Sequence, residues 1–124
     1  MWVEYMVSRK PSEREMHLIQ TLAAAVCHLL VDPDWTERLL VEPLNDGGMG
    51  SLHLHMQGSD KPCRRFGRVG AELAFKDTDG VDVIASLYLD GDGAPFELDM
   101  WKVTYAPLIE IPEVLPPARC PTVT

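Results

Sequence analysis

Long hydrophobic runs are missing from this 124-residue chain: the longest apolar stretch, residues 22–30, is broken by His28 and is too short to span a bilayer. Residues 1–10 have Glu4 in their middle and no continuous apolar segment, so they do not resemble a secretory leader. The expected address is the cytoplasm, with no membrane partner. Cysteine is scarce as well. Cys27, Cys63 and Cys120 are odd in number, far apart and without C-x-x-C spacing, which excludes a disulfide framework or zinc knuckle as a reading of the pattern. Basic residues are in deficit: eleven Lys and Arg stand against nineteen Asp and Glu, for a formal charge of -8. That balance repels nucleic-acid backbones and suits a basic protein partner.

What is present is the composition of a folded protein. A 46% hydrophobic and 24% charged chain of this length is expected to form one globular domain. Ser12 and Glu15 have capping-box spacing, and Met16, Ile19, Leu22, Ala23, Val26, Leu29 and Leu30 recur at helical intervals behind them. A helix is therefore expected over about 12–31, ended by Asp32-Pro33-Asp34. Residues 39–44 form a short apolar run, expected as a strand, with a possible helical turn over 35–40. Residues 45–48 (Asn-Asp-Gly-Gly) form a sharp turn, and residues 51–57 alternate with Leu52, Leu54 and Met56 on one face. After a polar connection over 58–68, strands are expected at 69–76, 81–89 and 95–103. Asp/Gly turns of hairpin length join them as antiparallel neighbours. The last eighteen residues contain Pro107, Pro112, Pro116, Pro117 and Pro121, which predict an extended tail hugging the surface or frayed.

The sharpest chemical feature is charge. Asp77, Asp79, Asp82, Asp90, Asp92, Glu97 and Asp99 fall in one stretch without Lys or Arg. Two hairpin turns and the strands between them are expected to display these carboxylates together to a basic partner. Trp101 is an aromatic anchor for that surface or a core residue. Other constellations are weaker. The D-x-D-G and D-G-D-G turns lack EF-hand spacing, so no calcium site is expected. His53 and His55 share a strand face, but no third ligand has metal-site spacing. Glu97 and Asp99 could pair for acid/base work, yet no partner base accompanies them. Ser51 is not in a nucleophile elbow, Cys27 lies in an apolar segment, and the glycines of 47–50 precede no helix. Lys61, Arg64, Arg65 and Arg68, with Phe66, form the one basic cluster, expected to solvate a loop or pair with the acidic turns.

Three segments, Asp46-Gly47-Gly48-Met49-Gly50-Ser51-Leu52, Asp79-Gly80-Val81 with residues 86–90, and Phe96-Glu97-Leu98-Asp99-Met100-Trp101-Lys102-Val103, together resemble a family of small bacterial proteins without assigned activity. The resemblance covers roughly residues 12–108. It implies an immunity-like role, in which a small acidic protein blocks a cognate toxin, and it supplies no catalytic residue.

The expectation is an α+β fold: an N-terminal amphipathic helix packed on an antiparallel sheet of four or five strands, a β-meander. One domain spans 1–124, with a core over about 12–108 and a Pro-rich tail over 109–124. The expected function is non-catalytic protein binding, most concretely inhibition of a basic bacterial toxin such as a nuclease, through Asp77, Asp79, Asp82, Asp90, Asp92, Glu97, Asp99 and Trp101. No cofactor, metal or nucleic acid is expected, and homo-oligomers are left open. Two alternatives stand beside it: a small metal-dependent protein or enzyme using His53, His55 and the carboxylates, and a self-associating adaptor module.

Overall fold

A computed structural model describes residues 8–59 and 63–121. Helix α1 (Glu13–Ala24) begins at the expected cap: the Ser12 hydroxyl accepts from the Glu15 N–H, and the Glu15 carboxylate accepts from the Ser12 N–H. Leu18, Ile19, Leu22 and Ala23 are its buried stripe. The helix is shorter than the periodicity predicts. Ala25 and Val26 close its last turn on the Leu22 and Ala23 carbonyls, and beyond them the chain leaves the helix: Arg68 donates to the carbonyls of Cys27 and His28, and His28 turns to φ 63. Leu30 then donates to Gly93, outside any helix. Val26 and Leu29 still pack against the core, so their periodicity reports burial without reporting helix.

A four-residue helix, α2 (Trp35–Arg38), leads into β1 (Leu39–Pro43), followed by β2 (Leu52–Met56), β3 (Phe66–Lys76), β4 (Asp82–Asp90) and β5 (Pro95–Lys102). All pairings are antiparallel, in the order β1-β2-β5-β4-β3. Strands β3 to β5 form the meander expected from their turns. The β1–β2 hairpin joins that meander at β5 rather than β3, with Leu52 opposite Leu98. Strands β2 and β3, consecutive in the chain, are therefore separated in the sheet by β5 and β4.

The period-two pattern decides what each face carries. Leu39, Val41, Leu52, Leu54, Leu98, Met100, Val83, Ala85, Leu87, Leu89, Ala71, Leu73 and Phe75 are buried on the α1 side. Helix α1 covers β3 and β4. The tail covers more of the same layer: Leu108, Leu115 and Ala118 pack on the core and Ile111 is buried. Pro-rich chain here is a strap held by packing and hydrogen bonds, including Arg14 to the Ile111 carbonyl. Outside the regular strands, Arg9 pairs with Val41 on β1, and Arg119 pairs with Glu72 on β3. No helix among the described residues is long and apolar enough to cross a membrane.

Candidate functional site

The acidic stretch does not form one patch. Successive turns of a meander lie at opposite ends of the shared strand, and β4 has nine residues, so its ends are ~30 Å apart. Asp77, Asp79 and Asp82 sit at one end, Asp90 and Asp92 at the other, and Glu97 and Asp99 on the sheet face between them. The expected joint display is corrected accordingly.

Several of these carboxylates also turn inward. Asp77 is buried, and its Oδ2 accepts from Lys102 Nζ at 2.9 Å and from the Ile109 N–H at 2.8 Å. Its Oδ1 accepts from the N–H groups of Thr78 and Glu110. Burial alone raises this carboxyl, but those donors outweigh it and hold the group at about 2. Lys102, 1% exposed, also reaches Asp79 at 2.7 Å. Its parity with Leu98 and Met100 directs it to the core side, where Asp77 supplies the charge that makes burial tolerable. At the opposite end, the buried Asp90 accepts from Arg64 Nε at 2.9 Å and, through Oδ1, from the N–H groups of Asp92 and Ala94. Arg64 further donates to the carbonyls of Leu54 and Pro95. Thus both Asp/Gly turns are organised around an inward aspartate with a distant cation, as one of the sequence alternatives allows for Arg64. Asp82 is exposed and pairs with Lys76 at 2.8 Å. Lys61 lies outside the described residues.

The face turned away from α1 carries a different set. Along β5 it presents Glu97, Asp99 and Trp101. Opposite them are Tyr88, Ser86 and Ile84 on β4, and His53 faces Glu97 from β2. Trp101 is 41% exposed, which corrects the core alternative: Met100 takes the inward position and Trp101 the outward one. The exposed Tyr105 lies beside it, ring centroids 6.3 Å apart. Burial, and then the negative charges of Asp99 and Asp46, push Glu97 upward; burial and the Asp46 charge raise Asp99, although the Tyr88 hydroxyl partly offsets this. No ion pair among the described residues involves either carboxylate. His53 does not balance them, because burial and the nearby Arg64 charge lower its pKa.

His53 and His55 stack with ring centroids 5.9 Å apart. Their neighbours are not metal ligands in the making: His55 Nε2 lies 2.9 Å from the Ser8 hydroxyl, which donates to Glu42 at 2.7 Å. This cluster ties residue 8 onto the β1–β2 hairpin. Among the described residues no group of three or more His, Cys, Asp or Glu side chains is placed to hold a metal ion.

The two longer motif segments meet in space. Asp46 accepts from the N–H groups of Met49 and Ser51, closing the glycine turn, and the Ser51 hydroxyl accepts from the Met100 N–H at 2.9 Å. Gly50, at φ 97, leaves room for Leu108, whose side chain would be 3.1 Å from an added Cβ. These residues join the β1–β2 hairpin and the tail to β5. Their shared position explains why such residue types occur together: they are one structural junction bordering the outer face.

Fold and face together define a single-sheet α+β domain that presents carboxylates and aromatic rings opposite its helix. Residues 8–112 match a family described as a domain of unknown function (DUF6984), and the chain belongs to that family. No curated protein and no solved structure matches it.

Proposed function

We propose that this chain is a non-catalytic protein-binding domain that engages a basic partner through the outer face of its sheet. The observation that carries this is the pair Glu97 and Asp99: half-buried carboxylates without a cation among the described residues, on the same strand face as the exposed Trp101. A lysine or arginine from a partner relieves their mutual repulsion. A guanidinium there also meets the faces of Trp101 and Tyr105, a favourable setting for a cation. Binding of this kind draws orientation and association rate from charge, and affinity from the aromatic anchor. The partner-binding residues are then Glu97, Asp99 and Trp101, with Tyr88 and Tyr105 beside them. Asp77, Asp79 and Asp90 serve the fold, Asp82 begins β4, and Asp92 lies on the β4–β5 turn.

The most concrete version is an immunity-type inhibitor acting in the cytoplasm on a basic bacterial toxin, a role that requires complementarity and no chemistry of its own. The test is co-expression with the product of the adjacent gene, followed by titration calorimetry at two salt concentrations. A complex that weakens with salt, and weakens at least about tenfold in Glu97→Lys/Asp99→Lys or Trp101→Ala, is expected. Unchanged affinity in both variants, in protein that still melts cooperatively, refutes the assignment of this face.

A further inference from the structure

Two of the three cysteines converge at the outer edge of β3. Arg119 and Glu72 exchange both backbone hydrogen bonds there, and their side chains form an ion pair at 2.9 Å, so Arg119 shares Glu72's side of the sheet. Strand alternation turns the next residue, Cys120, to the opposite side, where α1 lies. Cys27 arrives at the same place from the end of α1. Its carbonyl accepts from Arg68 of β3 at 2.8 Å, and the preceding Val26 packs within 3.1 Å of the position a Gly70 side chain would take. The two thiols act on each other: the Cys120 side chain raises the Cys27 thiol, whereas the Cys27 N–H and thiol lower that of Cys120. Cys27 is exposed and Cys120 partly so, which leaves both open to a small oxidant.

We propose that Cys27 and Cys120 are a reversible dithiol–disulfide site that fastens the C-terminal strap to the end of α1 when oxidised by a peroxide. Cys120 is the attacking group: the Cys27 N–H and thiol, together with the Arg68 charge, favour its thiolate, whereas the Cys120 thiol raises Cys27. The Cys120 thiolate displaces one oxygen of hydrogen peroxide. The O–O bond breaks, an S–O bond forms, and hydroxide leaves to take up the thiol's proton as water. The Cys27 sulfur then attacks the sulfenic sulfur; the S–S bond forms, the S–O bond breaks, and a second water leaves with the Cys27 proton. Two thiols lose two electrons and one peroxide becomes two waters. This site is separate from the outer face and does not depend on the role proposed for it.

The test treats the reduced full chain with hydrogen peroxide, then maps disulfides by mass spectrometry of a non-reduced digest. A Cys27–Cys120 cross-link in monomeric protein, reversed by dithiothreitol and still formed in Cys63→Ser, is expected. Cys27→Ser halts at sulfenic or sulfinic Cys120, and Cys120→Ser consumes peroxide about tenfold more slowly. Limited proteolysis of the strap over residues 109–114 slows in the oxidised wild type. Absence of the cross-link, equal peroxide consumption by the two variants, or strap cleavage unaffected by oxidation overturns the proposal.

Discussion

Asp77→Ala removes a carboxylate that accepts from one ammonium and three backbone N–H groups. Lys102 then remains buried with Asp79 and the Pro107 carbonyl as its remaining contacts. The N–H groups of Ile109 and Glu110 lose the acceptor that anchors the strap. Breaking a buried ion pair from one side costs about 3–5 kcal/mol, a large share of the roughly 5–15 kcal/mol that stabilises an ordinary domain. The backbone bonds belong to the same network, so their separate values do not add to this figure. The expected loss is about 4 kcal/mol, or ~15 °C in the melting midpoint. Asp77→Asn keeps one acceptor oxygen and loses about half as much.

Acid sharpens the distinction. The carboxyl, ordinarily at 3.8, is held at about 2 in the folded chain. The unfolded chain therefore binds this proton first as pH falls. The associated stabilisation, about 2.4 kcal/mol, is complete above the unfolded value and disappears as pH drops through 3.8 toward 2. Asp77→Asn has no such titration, so its deficit against wild type narrows across that window. Urea unfolding followed by tryptophan fluorescence between pH 2 and 7, within the range where both proteins fold, measures both effects. A loss under ~1 kcal/mol for Asp77→Ala at neutral pH, or a constant wild-type-to-Asn gap through the acid window, refutes the assignment of Asp77 as the anchor.

Two further substitutions probe the sheet. At Gly67 an added Cβ would stand 2.4 Å from the Asp90 carbonyl oxygen, whereas at Gly91 it would meet nothing within 4 Å. Gly67→Ala should cost ~2 kcal/mol in denaturant unfolding and Gly91→Ala less than ~0.5 kcal/mol, and equal effects would contradict the packing of the β4–β5 turn against β3. Glu97→Gln/Asp99→Asn should gain ~0.5 kcal/mol at neutral pH, read by thermal unfolding. Because these carboxyls are raised, their ionisation costs stability as pH climbs above the ordinary carboxyl range, and the gain should fade on acidification.

Local features were legible wherever one stretch of chain determines them. The Ser12–Glu15 cap, the five strands and the two Asp/Gly hairpins follow from spacing and period alone. Pairing of β2 with β5 was not, because no turn connects them and their register depends on contacts such as Ser51 with Met100 across the sheet. Asp77 and Asp90 read as carboxylates displayed to a partner, since an Asp/Gly turn has the same composition whether its aspartate faces outward or a buried cation. Lys102 did leave a signal: it continues the inward parity of Leu98 and Met100, and a cation on a core face demands a partner. The excess apolar residues after Ala24 reported burial, but no local pattern distinguishes one more helical turn from a connection whose carbonyls Arg68 satisfies. For the outer face, the sequence identified Glu97, Asp99 and Trp101, while grouping them with acids that the topology sends elsewhere.

Arg9 and Arg119 occupy the two flanks of the sheet in a similar way, each donating and accepting one backbone bond with the outermost strand. A second copy approaching flank to flank would find the peptide groups of Val41 and Glu72 already engaged, which discourages ribbon-like stacking of chains at those two points. Trimming either terminal segment would bare the outward peptide groups of Val41 or Glu72. The penalty for such shortening would then surface as clumping in concentrated solution as well as a lower melting point.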